Sequence, residues 1–96
     1  MPIETTAYDS ANYLTSDEAQ AEYLSLAFET ADDAIIRKSL STVARARGMA
    51  GVAKDADLSR QGLYKSLSET GDPKLSTLMG VLKALGMQMV VQPVAH

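Results

Sequence analysis

Cysteine is absent from this sequence, so no disulfide, thiol nucleophile or cysteine-held metal can form. Histidine occurs once, as the terminal His96, and nowhere do residues fall at metal-ligand spacing. No run of about 18 apolar residues exists, and the N-terminus lacks the basic segment and apolar stretch of a secretory leader. A protein of the cytoplasm, away from membranes and without metal or cofactor, is therefore expected. Catalysis has little to work with. Asp32-Asp33 sits where a helix cap is expected, and Asp17 and Glu18 are sequence neighbours that do not converge on one face, so no enzyme is expected.

The last absence is one of sign. Residues 1–36 contain no Lys or Arg but eight acids: Glu4, Asp9, Asp17, Glu18, Glu22, Glu29, Asp32 and Asp33. Residues 37–65 reverse this, with seven bases (Arg37, Lys38, Arg45, Arg47, Lys54, Arg60, Lys65) against Asp55 and Asp57. Residues 66–96 balance, so the net charge of −3 conceals an acidic arm joined to a basic centre. Such segregation suits two partners of opposite charge, or simply two solvated surfaces.

What is present fits one small domain. Ninety-six residues bury a modest core, which oligomerisation would usefully supplement. With 46 % hydrophobic and 22 % charged residues the composition is that of a globular protein. Residues 1–15 form an N-terminal arm without helical periodicity, although Tyr8, Tyr13 and Leu14 could pack on the body. Ser16 followed by Asp17 and Glu18 reads as an N-cap with acids at the positive end of the helix dipole. Ala19, Tyr23, Leu26 and Ala27 then set a helix over 17–29.

After a break at Thr30–Asp33, Ala34, Ile35, Leu40, Val43 and Ala44 set the stripe of a second helix, stopped by Gly48. Arg45 and Arg47 in its last turn suit the negative dipole end. A third, short helix covers about 50–56 with Val52, Ala53 and Ala56 inward; Ser59 caps a fourth, with Leu63 and Leu67 inward. "SETGDPK" is a loop of turn formers, followed by a helix carrying Leu75, Leu78, Met79, Leu82 and Leu85, ended by Gly86. The helical domain thus spans 16–86. In the tail, 87–96, Met87, Met89 and Val91 alternate with Gln88 and Gln92, broken only by Val90, which predicts a short C-terminal β-strand. One strand cannot satisfy its own backbone groups, so Met89, Val90 and Val91 are expected to pair with a second copy; a frayed apolar tail is the plainer alternative.

Residues 50–67 meet the demands of a helix-turn-helix, in which a second helix enters the major groove of DNA. Ala53 is small where the helices cross, Leu58 plugs the turn, and Leu63 and Leu67 anchor the second helix. Ser59, Arg60, Gln61, Tyr64 and Lys65 occupy its start and outward positions. Arg can donate two bonds to guanine and Gln pairs bidentately with adenine, while Lys, Ser and Tyr suit phosphates. Each also has a plainer role: Ser59 is a cap with or without DNA, Arg60 and Lys65 ordinary exposed bases, Tyr64 half-packed.

The run "ARARGM…LSRQGLYKSLS…GDPKLSTL…VLKALG" resembles the Xre/Cro-type helix-turn-helix antitoxins, specifically the addiction-module antidote proteins, over about Ser16 to Gln92. The resemblance implies an all-α, compact five-helix (lambda-repressor-like) DNA-binding domain. It implies neutralisation of a cognate ribonuclease-like toxin and repression of the shared operon. Carried over, Arg60, Gln61 and Lys65 become base readers of operator DNA, and Ser59, Ser76 and Thr77 phosphate ligands. Two positions depart from the family's habit. Asp57 stands where glycine is frequent, a residue that still tolerates a left-handed turn, and Met49-Ala50-Gly51 lacks an expected glutamine.

One motif reads few base pairs, so a homodimer on a two-fold site is expected. Toxins that hold RNA are basic, which points to the acidic segment, with Glu18, Glu22 and Glu29, as their contact. Two rival roles remain open: a stand-alone repressor, and a helical protein-binding adaptor without DNA binding.

Overall fold

The computed structural model describes residues 14–95; the expected packing of Tyr8 and Tyr13 and the remainder of the arm up to residue 13 lie outside them, as does His96. Five helices follow one another: α1 Asp17–Glu29, α2 Asp33–Arg47, α3 Met49–Asp55, α4 Arg60–Ser66 and α5 Leu75–Ala84. The starts of α1, α2 and α4 are written in side-chain cap chemistry, because the first amides of a helix have no partner within it. Ser16 Oγ accepts from the Ala19 amide at 3.1 Å. Asp32 Oδ1 accepts from Ala34 at 2.9 Å and Ile35 at 3.2 Å. Among the described residues no helix is long and apolar enough to cross a membrane.

The core draws on every helix, but not always on the expected face. Leu40, Val43, Leu63, Val81 and Leu85 are fully buried, each worth about 1.5–3 kcal/mol of transfer free energy. In α2 the buried stripe is Ser39, Leu40, Val43 and Ala44, with Ile36 packed at its edge. Ile35 is 44 % exposed, since five residues of helix carry it about 140° away from Leu40. In α1 the inward face is Gln20, Leu24 and Ala27, and Leu26 points outward. In α5 the stripe is Leu78, Val81, Leu82 and Leu85, leaving Leu75 and Met79 exposed on a neighbouring face. Period 3.6 was present in all three; an apolar residue one position off the stripe was taken for part of it.

The tail corrects a second expectation. At Gly86, φ +73°, the chain reverses: Gly86 N donates to Lys83 O at 2.9 Å and Met87 N to Leu82 O at 2.8 Å. Residues 87–95 then run without forming the expected C-terminal β-strand, and no strand occurs among the described residues. The reason is the absence of an edge. From Gln88 onward no backbone group is hydrogen-bonded within the described chain, and a β-ladder needs a neighbour.

Candidate nucleic-acid interface

α3 and α4 are joined by a turn of four residues, 56–59, whose backbone is closed from within. Asp57 has φ +61°, the left-handed conformation expected of it, and its amide donates to Lys54 O at 3.1 Å. Leu58 N then donates to Ala53 O at 2.8 Å, and the Leu58 side chain, half-buried, packs against the core. Ala53 is buried where α3 meets α4 and α5. Ser59 ends the turn as the cap of α4, its Oγ accepting from Gly62 N at 2.9 Å.

From that cap, Leu63 and Leu67 fix one side of α4 in the core. Arg60, Gln61, Tyr64 and Lys65 are exposed and fan over about 140° of arc beside this stripe. The Arg60 guanidinium lies over the Tyr64 ring, 5.8 Å from its centroid, so the two side chains order one another. Four polar side chains are thereby gathered on one exposed helix face, just past the Ser59 cap. Ser76, exposed, and Thr77, half-buried, lie in the first turn of α5, which packs on α3 rather than alongside them. α3 is the common support of both groups.

The basic centre is smaller than its seven residues suggest. Arg37 donates from Nε to Ser68 O at 3.0 Å, from one terminal nitrogen to Glu69 O at 3.0 Å, and from the other to Asp33 Oδ2 at 2.7 Å. This bond and the adjacent positive charge hold the Asp33 carboxyl below the ordinary aspartate range. Arg47 is likewise occupied: Nε bonds Gln20 Oε1 at 2.6 Å, and a terminal nitrogen bonds Asp17 Oδ1 at 2.8 Å and Leu85 O at 2.9 Å. The dipole role expected for Arg47 is thus secondary to joining α1, α2 and α5. Lys38, Arg45, Lys54, Arg60 and Lys65 stay exposed.

Gln20 escaped the sequence reading. It is 4 % exposed, with Nε2 donating to Leu14 O at 2.9 Å and Oε1 accepting from Arg47. Its signal was there, a polar residue on the face of Leu24 and Ala27, but only a folded partner gives such a residue meaning. Glu18, Glu22 and Glu29 are exposed and fall within about 40° of arc on α1, with exposed Leu26 beside them. Met89, Val90 and Val91 are exposed on the tail.

No solved structure matches the chain. An uncharacterized protein of Haemophilus influenzae is 45 % identical over 85 residues, covering 88 % of both chains. The family described as "Probable addiction module antidote protein" matches residues 4–93, taking in α1, the α3–α4 pair, α5 and nearly all of the tail. A match that leaves out only a few residues at either end is a match to the whole domain, and the chain belongs to this addiction module antidote family.

Proposed function

We propose that this chain is the antitoxin of a toxin–antitoxin module, and that it neutralises a ribonuclease-like toxin by direct binding and represses its own operon. In this reading α3 and α4 act as a helix-turn-helix of the Xre/Cro type, with α4 in the major groove. The observation that carries it is the α4 face: a cap at Ser59, a left-handed turn at Asp57, and Arg60, Gln61, Tyr64 and Lys65 held outward. Arg60, Gln61 and Lys65 read bases, while Ser59, Tyr64, Ser76 and Thr77 meet phosphates. Tyr64 also steers the guanidinium of Arg60.

The acidic stripe of Glu18, Glu22 and Glu29 is the proposed toxin contact, because a protein that holds RNA presents positive charge. It lies on α1, whereas the base-reading face lies on α4, so one chain can carry both activities. Recognition of a two-fold operator calls for a homodimer.

A gel shift with DNA from the protein's own promoter tests the DNA half. Binding should weaken steeply as salt rises, and Arg60→Ala should cost about 1–3 kcal/mol of affinity. Binding indifferent to both would leave the adaptor role as the better account. For the toxin half, Glu18→Lys, Glu22→Lys and Glu29→Lys together should weaken toxin capture and spare the promoter shift.

A further inference from the structure

Between residues 38 and 45, α2 shows solvent one narrow stripe. Lys38, Ser41 and Arg45 fall within about 60° of arc, while Ser39, Leu40, Thr42, Val43 and Ala44 are buried. Lys38 and Arg45 stand about 10 Å apart along the helix axis. Within the described residues they form no ion pair, and neither has a structural task like those of Arg37 and Arg47.

The stripe adjoins α4. Ala34, Ile35, Lys38 and Ser41 form one wall of a groove of about 420 Å³, and Leu67, Ser68 and Glu69 the other. Arg37 clamps the walls together through the carbonyls of Ser68 and Glu69, which spends its guanidinium and leaves Lys38 as the exposed cation of the groove. Ser68 also continues the polar line of α4, since Arg60, Tyr64 and Ser68 follow one another at intervals of four residues. Leu67 N donates to Leu63 O at 3.1 Å and Ser68 N to Lys65 O at 3.3 Å, so the winding carries past Ser66 and brings that line to the groove.

A duplex laid along α4 therefore meets α2 next. Each strand carries one charge about every 3.4 Å of axis, so the interval from Lys38 to Arg45 spans several phosphates. We infer that Lys38 and Arg45, with the Ser41 hydroxyl between them, hold the sugar-phosphate backbone of DNA beside the base-reading helix. Such contacts fix the register of α4 on the duplex without reading sequence. Charge favours this partner over a basic toxin, which two bases would repel. Glu69, on the facing wall, is the acid that opposes an anion here, and it gives the inference a second sign to test. The inference rests on the proposed DNA-binding role and adds to it contacts from α2.

The test is fluorescence anisotropy of the full chain with duplexes of its own promoter and of a scrambled sequence, from about 50 to 200 mM KCl. Each phosphate contact contributes about 0.9 to the slope of log affinity against log salt. Lys38→Gln with Arg45→Gln should weaken binding to both duplexes and flatten that slope by about 1.8. The pair should then lose about tenfold less affinity than the wild type over the same range. Preference for the promoter should be kept, whereas Arg60→Ala should reduce it. Lys38→Arg with Arg45→Lys retains both charges and should retain the wild-type slope. Glu69→Gln should tighten binding to both duplexes, because it removes a like charge from beside the backbone. Lys38, Arg45 and Glu69 are exposed, so circular dichroism should show the fold of every variant unchanged.

A slope flattened equally by the charge-retaining pair, a loss confined to the promoter duplex, or weaker binding by Glu69→Gln overturns the inference. So does a Gln pair that loses toxin capture with its DNA binding intact, which would give the stripe to the toxin. A wild type that binds neither duplex removes the DNA-binding role and this inference with it. A wild type that binds while the Gln pair matches it in slope and affinity removes the inference alone.

Discussion

Arg37 holds the carbonyl oxygen of Ser68 at 3.0 Å across 31 residues, and so ties α2 to the chain just as it leaves α4. The guanidinium, with a side chain 11 % exposed, holds two carbonyls just beyond α4, those of Ser68, which also accepts from Gly71 N at 3.0 Å, and Glu69. Its ion pair with Asp33 adds little, because that carboxylate is 89 % exposed and screened by water. Arg37→Ala should therefore destabilise the fold by about 2 kcal/mol, mostly through the two carbonyl bonds. Arg37→Lys should recover less than half, since an ammonium lacks the planar fork. Urea denaturation measures both, and a loss confined to a few tenths of a kcal/mol would show that water replaces the guanidinium at no cost.

Asp33 supplies a pH signature of the same contact. The Arg37 bond and charge lower its folded-state pKa, so it releases its proton more readily folded than unfolded. Its small contribution is fully present above the ordinary aspartate value and is lost as pH falls through the lowered folded value. Carboxyl-resolved NMR titration should find Asp33 titrating below the ordinary aspartate value. In Arg37→Ala the Asp33 midpoint should rise towards the ordinary range.

Gln20 and Arg47 make the corresponding junction for α1. Replacing Gln20 with Leu keeps the volume but strands the Arg47 Nε and the Leu14 carbonyl, both bonded to that amide. A loss of about 1–3 kcal/mol is expected despite the more apolar side chain. Hydrogen exchange should locate the loss in α1, with α3 and α4 keeping their protection. A more stable variant would mean that the amide is replaceable by packing.

Gly71 is fixed by proximity. A Cβ there would stand 2.2 Å from Ser66 O and 2.6 Å from Lys65 O, both backbone atoms at the end of α4. Gly71→Ala should cost about 1–3 kcal/mol, as overpacking does. Gly62→Ala is the contrast. Its Cβ would meet only Ser59 Oγ, at 3.0 Å, and alanine is the better helix former by about 1 kcal/mol. Thermal denaturation should lower the midpoint for the first variant and leave it unchanged or raised for the second.

The local chemistry of the chain was legible before folding. Ser16, Asp32 and Ser59 cap helices because their side-chain oxygens reach amides two or three residues on. Asp57 takes the left-handed turn because a short polar side chain tolerates it, and Leu58 follows inward. The outward set on α4 was legible for the same reason, lying opposite or beside apolar residues at helical spacing.

Ile35, Leu26, Leu75 and Met79 were not legible, because apolar character does not say which side of a stripe a neighbouring helix covers. The tail is a different case. Alternation at 87–92 is a strand pattern, but a strand exists only when another backbone meets it, and none does so among the described residues.

By itself, then, the sequence determined the helices, their ends, the turn at Asp57 and the polar face of α4, all set by interactions within a few residues. The tertiary structure alone decided which charges remain free. Arg37 and Arg47 are basic in composition, yet each spends its guanidinium on carbonyls 31 to 38 residues away. Such partners are brought together only by packing, for carbonyls at and beyond helix ends take whichever donor the fold delivers to them.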